Sequence, residues 1–204
     1  MTTFKVRDPD PKAVDGGSIL GLRIEAFQRG KFIRPYYIFL NRPYIASGSR
    51  ALRVHRHTVP PCIPLAALAS RHLPPPPTGD GAELGKAKKQ DLSVFARALR
   101  TEIANYHNRV ACIAHLRKSF GLDAKEKDKG KGPERVMAEI SAADAEAKQV
   151  RFEWVDGRIG RAVCDSKGRM LKAVVFGEGG RERDVEARML GGDGRLEGLA
   201  ERMR

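Results

Sequence analysis

The chain has 204 residues, 41% hydrophobic and 31% charged, and its 38 Lys and Arg against 25 Asp and Glu give a net charge of +13. No stretch approaches 18 uninterrupted apolar residues and the first 20 hold no apolar run, so neither a membrane span nor a cleaved secretory signal is expected. Cys62, Cys112 and Cys164 lie fifty or more positions apart, which excludes a disulfide framework and a zinc knuckle and leads us to expect a reducing, intracellular compartment.

The charge is lopsided. Residues 1–120 hold 20 Lys and Arg against 8 Asp and Glu, a difference of +12, whereas residues 121–204 hold 18 against 17. A basic first part favours acidic partners, either nucleic acid or an acidic protein surface.

In chain order, residues 1–18, with Arg7 to Pro11 and the Gly16-Gly17 pair, read as an irregular leader. Leu20, Leu22, Ile24 and Ala26 then alternate with Arg23 and Glu25, the pattern of a half-buried strand. Arg29-Gly30-Lys31 reads as a hairpin turn into an aromatic strand, Arg34 to Leu40, and Leu52 to Thr58 as a third strand. Pro60, Pro61 and Pro64 stop the ladder, because proline offers no donor, and Pro64 suits the first turn of a short helix through Leu73. Pro74 to Pro77 and the following glycines and lysines read as a loop.

Asp91 to Phe120 carries the strongest helical signal. Leu92, Phe95, Leu99, Ile103, Tyr106, Val110 and Ile113 follow at steps of three or four. At about 100° per residue they fall within an arc of roughly 80°, one narrow apolar seam. Asp91 can cap the start, and Gly121 stands where a C-terminal cap belongs. If the helix packs between chains, so narrow a seam should be only partly buried by its own chain, which makes these seven residues the candidate partner-binding set; the alternative is that the seam packs entirely on the chain's own sheets. Arg117 falls back onto the seam at about 340° when Leu92 is set to zero, so it is expected at a rim or paired with an acidic group.

Ala124 to Pro133 is a run of charge and the expected boundary between units. Beyond it, Glu134 to Lys148 reads as a helix, and Val150 to Val155 and Arg158 to Asp165 as strands around the hairpin signal Asp156-Gly157. Arg169 to Phe176 follows as a strand, Glu182 to Leu190 as a more polar one, and Arg195 to Met203 as a helix. Phe152, Trp154, Val163, Val174 and Phe176 are the expected core of that sheet. The fold class is therefore α+β: a leader (1–18), a first unit (19–120) that includes the long helix, a charged linker (121–133) and a second unit (134–204). Each unit is expected to be an antiparallel meander with helices on one face.

Evidence of catalysis is thin. His55 and His57, two apart on a strand, would share a face near Cys62, but no further metal ligand stands at recognisable spacing. Cys112 with His115 is the nearest approach to a nucleophile and base. The glycines of Gly191 to Gly198 match neither the dinucleotide fingerprint nor the P-loop. We expect no catalytic residues, metal or other cofactor. Arg29, Lys31, Arg34, Arg42, Arg50, Arg53 and Arg56 interleave with Tyr36, Tyr37 and Tyr44, a basic set that could meet DNA or an acidic protein surface.

Leu52 to Pro74, together with the stretches RDPDP, GLRIEAF, RPYYIFL and QDLSVFARALRTEIANYH, resembles the centromere protein O family of inner-kinetochore subunits. The resemblance covers most of residues 5–120 and implies tandem RWD domains, antiparallel meanders with helices on one face and no catalytic residues. It further implies a heterodimer with centromere protein P and assembly with centromere proteins Q and U into the constitutive centromere-associated network. The implied location is the nucleus, at the centromere and kinetochore. A basic nucleic-acid-binding protein is the alternative.

Overall fold

The computed structural model describes residues 1–28, 30–77, 89–123 and 136–203. Two compact units, Met1–Ala104 and Asn105–Arg204, divide the chain inside the long helix and not at the charged run after it. Both are α+β, each built on one antiparallel sheet whose strands follow chain order.

The first sheet is β1 (Thr2–Arg7), β2 (Ser18–Gln28), β3 (Lys31–Asn41) and β4 (Arg53–His57). Alternation works as expected on β2, where Leu22, Ile24 and Ala26 are buried, and on β3 Tyr36, Ile38 and Leu40 are buried as well. Helices α1 (Leu65–His72) and α2 (Leu92–Ser119) follow, with Pro64 at the N-cap position of α1. Gln90 fixes the approach to α2. Its Nε2 donates to the carbonyls of Leu52 and Pro74 at 2.9 and 2.8 Å, and its Oε1 accepts from the Leu52 amide at 2.7 Å.

The leader is a correction, for residues 2–7 form an edge strand. Thr2, Thr3, Lys5, Val6 and Arg7 are exposed, so no apolar period announces β1. Phe4 is the residue that anchors it. Its ring crosses Gly21 of β2, where a β-carbon would collide with it, and meets Tyr37 and Phe39 edge-on at 6.3 and 6.2 Å between centroids.

Both ends of α2 are capped as their residues require. Asp91 Oδ1 accepts from the Val94 amide at 2.9 Å, and this bond, with one from Ser93, holds the Asp91 carboxyl below its ordinary value. At the other end Gly121 takes φ +69°. The Leu122 amide then reaches the Arg117 carbonyl at 2.8 Å and the Gly121 amide that of Lys118 at 3.0 Å, the paired bonds of a Schellman cap.

The second sheet is β5 (Met137–Ala142), β6 (Gln149–Trp154), β7 (Ile159–Cys164), β8 (Met170–Gly177) and the two-residue β9 (Gly180–Arg181). Helix α3 (Arg183–Leu190), a 3-10 turn at 196–198 and α4 (Leu199–Arg202) complete the unit. The Asp156-Gly157 hairpin forms as read, with Gly157 at φ +87°. Three expectations fail here. The helix expected at 134–148 is strand β5 and a turn; its first two residues lie outside the described ones. A bulge between Met137 and Glu139 puts Met137 and Ile140 both inside, and that spacing of three imitates a helix. The polar strand expected at 182–190 is instead α3, with Val185, Glu186 and Met189 as its buried face.

The third failure concerns which side of β7 and β8 is inside. Phe152 and Trp154 are buried, but Val163 and Phe176 are exposed and Val174 only half-buried. Gly160, Ala162 and Cys164 of β7 and Ala173 and Val175 of β8 face the core instead. Volume decides this. A β-carbon on Gly160 would stand 2.9 Å from Trp154 Cζ3, so the large rings of β6 leave room only for small neighbours.

Candidate interaction surfaces

Helix α2 does not keep one face buried along its length. Phe95, Ala96, Leu99 and Ile103 are at most 2% exposed, whereas further on the buried residues are Arg109, Cys112, Ile113 and Leu116. At about 100° per residue the centre of the buried face swings by roughly 100° between these two sets. The swing falls where the chain divides into its two units. Of the seven seam residues, Phe95, Leu99, Ile103 and Ile113 are thus in the interior of their own chain, Leu92 and Tyr106 are half-buried, and Val110 is 42% exposed.

Two arginines of α2 tie the second unit together. Arg109, only 3% exposed, donates from Nε and Nη2 to the Glu146 carbonyl and from Nη1 to the Ser166 carbonyl at 2.6 Å. Glu146 lies in the turn before β6 and Ser166 in the turn after β7. Arg117 is paired as the sequence suggests, to Asp123 at 3.1 Å and to Glu139, and also donates to the Ile140 carbonyl at 2.8 Å. Sequence reading passed over Arg109 because it stands off the apolar seam, and only the swing of the buried face brings it inside.

The basic set does not converge on one face. Arg29 lies outside the described residues. Lys31, Arg34, Arg50, Arg53 and Arg56 are exposed, and Arg42 lies 3.6 Å from Asp15. Arg34 stands opposite Ala26 on the inner face and covers the Tyr36 ring at 4.8 Å. Arg56 stands opposite Phe39 on the outer face, beside the Phe4, Tyr37 and Phe39 cluster, and Arg53 opposite Asn41.

His55 and His57 were expected on one side of the strand, and a register shift between Phe39 and Leu40 separates them. His57 pairs with Ile38 on the inner side, its Nδ1 3.0 Å from the Val59 carbonyl, while His55 lies 3.6 Å from Asp8. No three metal-binding side chains come together among the described residues. Cys112 is buried and its thiol donates to Glu197 Oε1 at 3.3 Å, whereas His115 is exposed. Burial and the Asp165 carboxylate push the Cys164 thiol up to about 11, against the direction that makes a nucleophile.

Glu186 of α3 is a further buried ionic group that the sequence did not announce. Arg181 grips it with Nε and Nη2, each at 2.8 Å, and the Val175 amide donates to it at 3.0 Å. The guanidinium leads in holding this carboxyl down at about 2, with help from that amide.

No described helix is long and apolar enough to cross a membrane. A search of curated proteins found no match. A family model described as the Cenp-O kinetochore centromere component matches residues 1–203. Matched through both units, the chain belongs to the Cenp-O family of kinetochore components, and its place is the nucleus, at the centromere, in the machinery of chromosome segregation.

Proposed function

We propose that the chain is a non-catalytic scaffold subunit. It forms one half of a heterodimer with a centromere protein P-like partner, and the pair assembles with centromere protein Q- and U-like subunits into the constitutive centromere-associated network. The observation that carries this reading is the family match through residues 1–203, both units included. Two meanders in series, each followed by helices, agree with the tandem RWD arrangement that the resemblance implies. The part of the α2 seam open to a partner is Leu92, Tyr106 and Val110, since the other four residues serve the chain's own interior. Light scattering on size-exclusion peaks tests the reading. The chain mixed with a centromere protein P-like protein should elute as a one-to-one complex, and two separate peaks at micromolar concentration would overturn it.

The nucleic-acid reading has one supporting observation, the exposed Arg56 opposite Phe39 of the outer aromatic cluster of the first sheet. It requires affinity for random-sequence duplex that falls steeply as salt rises.

A further inference from the structure

On β7 and β8 the outer face of the second sheet carries exposed apolar side chains where a solvated face would carry polar ones. Ile159 stands opposite Phe176, Arg161 opposite Val174, and Val163 opposite Lys172, and opposed residues share a face. Ile159 is 51% exposed, Phe176 50% and Val163 37%, with Val174 half-buried. The alternate residues Gly160, Ala162, Cys164, Ala173 and Val175 already fill the core side, so these four are not poised to turn inward. They make a continuous patch on two neighbouring strands of the kind that marks an interaction site.

The charges around the patch have one prevailing sign. Arg151 of β6 stands directly opposite Arg161 of β7, a like-charge pair that repels. Glu153 on the same strand as Arg151 is taken up by it at 2.6 Å, and Glu139 on β5 by Arg117. Arg161 and Lys172 have no ion-pair or hydrogen-bond partner among the described residues. The face therefore offers apolar surface with two unengaged cations set into it.

We propose that this face docks an amphipathic α-helix of another protein, apolar along one stripe and acidic beside it. The stripe covers Ile159, Phe176, Val163 and Val174. Carboxylates at its margin bind Arg161 and Lys172 and relieve the repulsion between Arg161 and Arg151. A DNA duplex would answer the cations but leave the apolar residues wet. A second copy of the face, laid on this one about a two-fold axis, would bring cations against cations. The inference goes beyond the heterodimer reading and does not depend on which protein supplies the helix.

Fluorescence anisotropy with the full chain tests it. The probes are a labelled helical peptide of about 18 residues with Leu at helical spacing flanked by Glu, the same peptide with Lys for Glu, and a duplex of about 20 base pairs. The acidic peptide should bind at least ~10-fold more tightly than its Lys counterpart, and Arg161→Glu should abolish that preference. Phe176→Ser should weaken the acidic peptide by a similar factor, and Ile159→Ser serves if Phe176→Ser melts early by circular dichroism. Failure of the acidic peptide to bind overturns the proposal, as does binding that ignores all three substitutions. Duplex binding that Arg161→Glu removes while peptide binding persists overturns it in favour of nucleic acid.

Discussion

Nε and Nη2 of Arg109 both donate to the single carbonyl oxygen of Glu146, at 3.1 and 2.9 Å. A helix side chain thereby holds a turn between strands β5 and β6, and its third bond, to Ser166, holds the turn between β7 and β8. Ala147 beside that carbonyl takes φ +54°, a conformation costly for an alanine that the clamp helps to hold. A guanidinium suits this position because its fork of donors reaches two carbonyls at once.

Arg109→Ala should destabilise the second unit by about 1–3 kcal/mol, because it leaves two half-buried carbonyls without their donor as well as losing the bonds. Arg109→Lys should recover only part of the loss, having no fork. The protein's one tryptophan, Trp154, is 2% exposed in the same unit, so urea unfolding followed by its fluorescence reports this unit directly. A midpoint for Arg109→Ala equal to that of the parent protein would show that the clamp carries no stability.

Ile103→Asp and Val110→Asp separate core from surface on one helix. Ile103 is 1% exposed, and a carboxylate there should cost more than about 3 kcal/mol and melt the first unit, read by far-ultraviolet circular dichroism. Val110, at 42%, should accept the charge with an unchanged melt. If Val110→Asp also leaves pull-down by a centromere protein P-like partner intact, the open part of the seam is no interface.

The Glu186–Arg181 pair predicts a specific acid limb. Its carboxyl titrates near 2 in the folded chain against 4.5 ordinarily. A depressed folded value means the stabilisation is complete above the ordinary value and disappears as pH falls through about 2. Glu186→Gln should thus be less stable than the parent near neutral pH, with the gap closing across that window. Parallel melting curves at every pH would contradict the pairing.

Thiol reactivity should follow burial. Cys62 is half-buried whereas Cys112 and Cys164 are buried, and the Cys164 thiol is pushed up to about 11. Iodoacetamide on the native protein, read by peptide mass, should modify Cys62 first and the other two only on unfolding. Rapid modification of native Cys112 would show that its bond to Glu197 does not shield it.

Much of the fold was legible in the letters. Where pattern and local chemistry act within a few residues, the reading survives: the alternation of Leu22, Ile24 and Ala26, the helix between Asp91 and Gly121 with both caps, and the Asp156-Gly157 turn. The pairing of Arg117 with an acidic group also agrees with the reading from its helical angle.

Tertiary structure decided the rest. Edge strand β1 has no apolar period, and Phe4 earns its place only against a glycine on the next strand. Bulges after Met137 and Phe39 broke the period of two, so a strand imitated a helix and two histidines parted. The inner face of β7 and β8 was chosen by the room left beside Phe152 and Trp154, which put small residues inside and Ile159 and Phe176 out. The buried face of α2 turns midway, which brings Arg109 in and leaves Val110 out. Each of these depends on the volume and pairing of residues distant in sequence, and periodicity along a single segment carries neither.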